Sequence, residues 1–229
     1  MKVERPHDAH LYTMVNTGAH WDFLEILIKK INKKDIEGAV VECGVWKGGV
    51  CMWMLFCQKQ FNMDREFYLY DTFDGMTRPD HPKDDPKALK TYDEITSGVK
   101  LRAYDDWHGQ NKWACAPLEY VKDNIRKVEY DDKKITFVEG DCCETLDKIV
   151  PSKISLLRLD TDWYESTKKE LDILYPLVSK GGYIVVDDYY HWLGSKTATD
   201  EFLKNRKPGE ISIIDKTEAG GIFTFKKLI

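Results

Sequence analysis

Five short apolar runs in this chain each close on an acidic residue. Glu42 ends AVVE, Asp71 ends FYLYD, Asp141 follows ITFVEG, Asp160 ends ISLLRLD, and Asp187 and Asp188 end YIVVDD. Runs this short and this rich in Val, Ile, Leu and Tyr predict strands buried on both faces, as in a parallel sheet. In an open parallel sheet the carboxyl ends of the strands border one crevice, and ligands bind there. Acidic residues spread over about two-thirds of the chain are therefore expected to meet at one site. A convergence of carboxylates suits ribose hydroxyls, a metal ion, or both.

The segments between the runs fit this reading. WDFLEILIKKI has apolar residues at helical spacing and predicts an N-terminal helical segment within 1–37. Strands are expected at Ala39–Cys43, Phe67–Tyr70, Ile135–Glu139, Ile154–Leu159 and Tyr183–Val186. Helices are expected at Val50–Lys59, Pro117–Val128, Ser166–Leu174 and Lys196–Asn205. Strand–helix alternation predicts an α/β doubly wound sheet. The end, ISIIDKTEAGGIFTFKKL, reads as a hairpin around Glu-Ala-Gly-Gly, which places one antiparallel strand in an otherwise parallel sheet. Seven strands, mostly parallel and with that ending, is the Rossmann-like arrangement of class I methyltransferases. Residues 1–229 are read as a single domain.

Residues 72–134 separate the second run from the third, where a simple crossover needs roughly 20–30 residues. Residues 77–116, with Tyr104, Trp107, His108 and Trp113 among Pro, Asp and Lys, predict an inserted cap over the crevice. Aromatic side chains stack well on sugars and flat rings.

The net charge of −5 leaves no basic footprint for nucleic acid. No run approaches the ~18 apolar residues of a membrane span, and the N-terminus lacks an apolar signal-peptide core. A cytoplasmic protein with no membrane partner is expected, either a homodimer or part of a larger polypeptide. The six cysteines show no zinc spacing and are read as reduced thiols.

Three constellations carry chemistry. Glu42-Cys-Gly44-Val-Trp46-Lys-Gly48-Gly49 follows the first strand, and its glycines let backbone approach a ligand and turn into a helix. Its ExGxxxGG spacing is not the dinucleotide fingerprint. Asp71, followed by Thr72 and Phe73, ends the second strand, where an acid commonly takes the two hydroxyls of a cofactor ribose. At the third strand end, Gly140-Asp141 is open to two readings: an acceptor for an adenine amino group, or the N-cap of a helix over Cys142–Ile149. The third constellation is Asp160 with Asp187 and Asp188, oxygen donors suited to a hard cation that keeps some of its waters. Asp162 is either a further member or a helix cap.

Together these stretches resemble the macrocin O-methyltransferase family of class I methyltransferases. The resemblance is carried by ECGVWKGG, YDTFDGM and LRLDTDWYESTKKELDILYPLVSKGGYIVVDDY, and it spans most of Val40–Glu201. It implies methyl transfer from S-adenosylmethionine to a sugar hydroxyl, as on a rhamnose-type deoxysugar of a glycan or glycosylated natural product, with Mg²⁺. It also implies that Asp160, Asp187 and Asp188 hold the metal. Glu42, Gly44, Trp46, Gly48, Asp71, Thr72, Phe73, Gly140, Asp141 and Asp160 are the residues expected to face the cofactor. Related catechol methyltransferases place a lysine base three residues after the first metal aspartate, and here that position is Trp163. The expected catalytic groups are therefore Asp160 or Asp187, with His191 as the alternative base. The chain is short at its N-terminus, GDCCETL departs from the family pattern, and Arg78–Lys112 matches nothing specific.

Other classes remain open at this level. Asp160-Thr161-Asp162 is formally the DxD of a metal-dependent glycosyltransferase, and a catechol or phenol O-methyltransferase would share the fold. An NAD-dependent oxidoreductase would share the acid at Asp71 but lacks its glycine fingerprint and needs no metal carboxylates. A non-enzymatic domain that kept the cofactor fold is the last alternative.

Overall fold

In a computed structural model, residues 8–15, 18–99, 110–214 and 222–229 are described. Among them a seven-stranded sheet runs in the order β3-β2-β1-β4-β5-β7-β6. The strands are β1 (Ala39–Cys43), β2 (Phe67–Asp71), β3 (Ile135–Glu139), β4 (Ile154–Leu159), β5 (Val178–Val186), β6 (Ile211–Ile213) and β7 (Phe223–Lys227). β1 through β5 pair in parallel, while β7 pairs antiparallel with both β5 and β6. The expected doubly wound sheet and its antiparallel ending are both present. The Glu-Ala-Gly-Gly turn lies outside the described residues.

Period-two alternation divides each strand between two cores. Val40, Phe67, Leu69, Leu156 and Val185 pack under α1 (Ala19–Lys33), α2 (Gly49–Gln60) and, later in the chain, α4 (Leu118–Arg126). Val41, Tyr70, Leu157, Leu159, Ile184 and Val186 pack on the other face under α5 (Cys142–Thr145), α6 (Tyr164–Leu174) and α7 (Leu193–Lys204). Each such aliphatic side chain taken from water contributes about 1.5–3 kcal/mol. Double-sided burial makes the runs near-continuously apolar and so conspicuous in sequence.

The differences from expectation are local. β5 begins at Val178 rather than Tyr183, because the strand continues through Gly181-Gly182 with a register shift in its partner β4. The helix after Asp141 ends at Thr145 rather than Ile149. The inserted segment holds a helix of its own, α3 (Pro86–Thr96). Asp85 caps α3 by accepting from Lys87 N, and Pro86 occupies its first turn. A small separate core of Ala88, Ile95, Trp113 and Trp163 packs this segment against the turn between β4 and α6. Of the aromatics expected there, Tyr104, Trp107 and His108 lie outside the described residues. Among the described residues, no helix is long and apolar enough to cross a membrane.

Candidate active site

The strand ends open into one cavity of about 700 Å³. Glu42, Asp71, Asp141, Asp160, Asp187 and Asp188 all line it, so the acids that end separate strands do converge. Gly44, Trp46, Thr72, Gly140 and His191 line it as well. Two expected residues do not. Phe73 turns inward at a φ of 50° and packs in the core against Phe137. Gly48 caps α2 and faces α4, where a side chain would meet Val121 and Ile125.

The glycine loop is held by the acid of the next strand. Asp71 Oδ2 accepts from the backbone N–H groups of Val45 (2.7 Å) and Trp46 (2.8 Å), and Oδ1 accepts from Phe73 N (2.8 Å). A carboxylate with several acceptor positions can make these bonds and still accept from a ligand. Burial raises its pKa, and the three backbone donors offset part of that shift. Gly44 has a φ of 86°, and a Cβ there would lie 2.0 Å from the Asp160 carbonyl oxygen, so the ends of β1 and β4 close up only around glycine. Trp46 Nε1 is buried without a hydrogen-bond partner among the described residues.

Asp141 takes one of its two readings structurally. Its Oδ1 accepts from Cys143 N at 2.8 Å and caps α5, while the residue still borders the cavity.

The metal candidates form a denser cluster than sequence suggested. Asp160, Asp187 and Asp188 each offer an oxygen within 4.8 Å of the others. Arg158, on β4 and 0% exposed, lies behind them. Its Nη1 donates to Glu42 Oε1 and to Asp160 Oδ2 (2.8 Å), and its Nη2 lies 3.1 Å from Asp187 Oδ1. His20 of α1 reaches the same oxygen from the other side, with Nε2 at 3.2 Å. Burial drives the His20 pKa down to about 4, so the ring faces Asp187 as a neutral group at pH 7. Sequence reasoning missed both residues, although each left a signal. Arg158 is a lone cation inside an apolar strand, which calls for buried counter-charges. His20 shares the helical register of Leu24, Leu27, Ile28 and Ile31, the buried stripe of α1.

One guanidinium does not balance this many carboxylates. Burial pushes Asp160 and Asp188 well above the ordinary carboxylate range. Burial acts the same way on Asp187, but the Arg158 guanidinium outweighs it and holds that group low. Asp188 Oδ2 is buried with no hydrogen bond among the described residues, while Asp187 Oδ1 is met by Arg158 and His20. An unpaired acceptor and an excess of negative charge in an all-oxygen donor set fit a hard divalent cation.

Asp162 is not a cap. It has a φ of 67°, lines the cavity and hydrogen-bonds with Asp188, and burial pushes its pKa up to about 7. Below it, Glu170 of α6 accepts from Thr161 Oγ1 at 3.0 Å, and burial pushes its pKa to about 8. Trp163, Trp192 and Trp113 wall the cavity beyond Asp162, with edge-on ring contacts of 5.4–5.9 Å. His191 is exposed at the cavity rim.

The model of the macrocin-O-methyltransferase (TylF) family matches residues 3–220 of the chain. Demethyldecarbamoylnovobiocin O-methyltransferase of Streptomyces niveus is 30% identical over 199 residues, which is 86% of this chain and 70% of the relative. The 8-demethyl-8-(2,3-dimethoxy-α-L-rhamnosyl)-tetracenomycin-C 4′-O-methyltransferase of Streptomyces olivaceus is 28% identical over 169 residues, 73% of this chain and 59% of the relative. The chain thus spans about three-fifths to seven-tenths of the length of such curated relatives. The solved structure of the O-methyltransferase NovP superposes with a TM-score of 0.74 at 26% identity, covering 95% of this chain and 83% of that one. The calicheamicin methyltransferase CalS11 shares the fold, with a TM-score of 0.63 at 18% identity, covering 90% of this chain and 77% of that one.

Proposed function

The chain belongs to the macrocin-O-methyltransferase family, and from that premise we propose that it transfers a methyl group from S-adenosylmethionine to a hydroxyl of a sugar carried on a glycoside. The observation that carries this reading is one cavity lined by two constellations. The glycine loop tied to Asp71 lines it, and so do the clustered carboxylates of Asp160, Asp187 and Asp188. The relatives named above support a sugar acceptor, since one of them modifies a rhamnosyl group by its name.

Asp71 and the loop Gly44–Trp46 would hold the adenosyl cofactor, whose sulfonium supplies an already activated methyl group. Asp160, Asp187 and Asp188 would hold Mg²⁺, which when bound supplies a Lewis acid that makes a hydroxyl easier to deprotonate. Within the protein, Arg158 and His20 both contact Oδ1 of the Asp187 carboxylate and hold it in place. Asp162 is the proton acceptor in this reading, in preference to Asp160 and Asp187, because both of those face Arg158 whereas Asp162 borders the cavity beside the tryptophans. The tryptophan wall excludes water and offers a flat apolar face to a sugar ring. Positioning supplies most of the acceleration, since bringing two partners into line replaces a bimolecular step.

Incubation with S-adenosylmethionine and phenyl α-L-rhamnopyranoside, followed by mass spectrometry, tests the reading. The expected product carries one added methyl group, disappears with a chelator and returns with Mg²⁺. Unmodified glycoside under all conditions, with S-adenosylhomocysteine binding intact, would contradict the sugar acceptor.

A further inference from the structure

The first N–H groups of a helix have no partner within it and need acceptors from elsewhere. α6 starts at Tyr164, directly behind Asp160–Trp163, and its N-cap residue Trp163 brings no side-chain acceptor. The acceptor comes from the cap instead. Asp84, 80 residues earlier and 7% exposed, takes the Tyr164 N–H on Oδ1 at 2.8 Å. A third segment makes room for it. Gly194, in the first turn of α7, is so close that a Cβ there would lie 1.9 Å from Asp84 Oδ1 and 2.7 Å from Tyr164 N.

The surrounding contacts grip the same two residues. Trp163 Nε1 donates to Thr77 O of the cap at 2.9 Å. Lys83 Nζ donates to Tyr164 Oη (2.8 Å) and Glu201 Oε1 (2.6 Å), and the His81 ring stacks on Tyr164 at 4.4 Å. Immediately before these anchored residues stands Asp162, at a φ of 67°. Aspartate is among the side chains that adopt this left-handed region, and here the anchored Trp163 and Tyr164 follow it directly.

We propose that Asp84 is a positioning residue for methyl transfer: by binding Tyr164 N it holds the Asp160–Trp163 turn, and with it Asp162, in the conformation that meets the acceptor hydroxyl. The inserted cap is then part of the reaction geometry as well as a cover. This rests on the cavity being the methyl-transfer site.

The test compares Asp84→Ala, Asp84→Glu and Asp84→Asn with the wild type. It reads kcat and KM for phenyl α-L-rhamnopyranoside, S-adenosylhomocysteine affinity by calorimetry, and hydrogen exchange of the Tyr164 amide. Asn keeps an acceptor oxygen in place and is expected within about threefold of wild-type kcat. Ala removes the oxygen, and Glu carries it one methylene out of register against Gly194. Both are expected to lose roughly 10–100-fold in kcat, as small misplacements at a reacting centre do. Tyr164 exchange should rise in both, with S-adenosylhomocysteine affinity unchanged. Unchanged kcat in Glu and Ala overturns the inference, as does a parallel loss of cofactor binding, which would mark a general structural role. Should Ala fail to fold, the contrast between Glu and Asn decides alone, and Asn as impaired as Glu overturns the positional argument. Cofactor binding by a wild type that methylates no glycoside overturns the proposed function and this inference together.

Discussion

Arg158 sits inside β4 and faces Glu42, Asp160 and Asp187, so its removal leaves the buried Glu42 and the half-buried Asp160 and Asp187 without this counter-charge. Breaking a buried ion pair from one side costs about 3–5 kcal/mol. In a chain of this length each kcal/mol moves the melting point by roughly 2–4 °C, so Arg158→Met is expected to melt about 6–20 °C lower. Mg²⁺ should restore more stability to this variant than to the wild type, because the ion replaces part of the missing charge. A thermal melt with and without the ion checks both points, and a variant that melts with the wild type would contradict the charge argument. At this scale the sequence was legible for groups that end strands and obscure for groups that act from behind. Asp160, Asp187 and Asp188 stand out because acids are rare beside such apolar runs. Arg158 belongs to the same run but reads as a strand residue, and only the burial of all its neighbours reveals its role. His20 shares the apolar stripe of α1, yet nothing local says that the stripe reaches Asp187, some 167 positions later. Phe73 differs in placement. Adjacency to Asp71 suggested the cofactor, but a left-handed turn sends the ring into the core.

Strand ends fix the site only if they approach closely, and that approach depends on Gly44. Gly44→Ala must place a Cβ 2.0 Å from the Asp160 carbonyl while holding a φ of 86°. Strain of both kinds is expected to cost well over about 1 kcal/mol and to weaken S-adenosylhomocysteine binding. Gly209 provides the internal control. It has a φ of 78° but nothing within 4 Å of a would-be Cβ, so Gly209→Ala carries the backbone cost of about 1 kcal/mol with cofactor affinity unchanged. Denaturant melts and cofactor titrations on the two variants separate steric closure from backbone strain, and equal effects would contradict the closure argument. Elements of the sheet were legible because burial on both faces imposes continuous apolar runs. The cap was legible only as an insertion. Its helix α3 begins at Asp85-Pro86, a start signal drowned by the surrounding charges. β5 was read short because Gly181-Gly182 looks like a boundary, whereas the register shift carries the strand through it.

The whole molecule brings together groups that no single segment contains. β1 and β2 supply a loop tied to Asp71, β4 and β5 supply the carboxylates, α1 sends His20 in from one side, and the cap reaches the start of α6 from the other. Convergence at the carboxyl ends was predictable from topology alone. Depth was not: the packing of several carboxylates around Arg158, with the Asp188 Oδ2 acceptor left over, emerges only from the folded chain. That excess of negative charge underlies the central claim that one cavity takes an adenosyl cofactor at Asp71 and a divalent cation at Asp187. Titration calorimetry of S-adenosylhomocysteine and of Mg²⁺ on the wild type, Asp71→Ala and Asp187→Ala tests it most directly. The account predicts that the wild type binds both, that Asp71→Ala loses the cofactor, and that Asp187→Ala keeps the cofactor but loses the ion. A wild type that binds neither, or an Asp187→Ala variant with undiminished ion affinity, would contradict it.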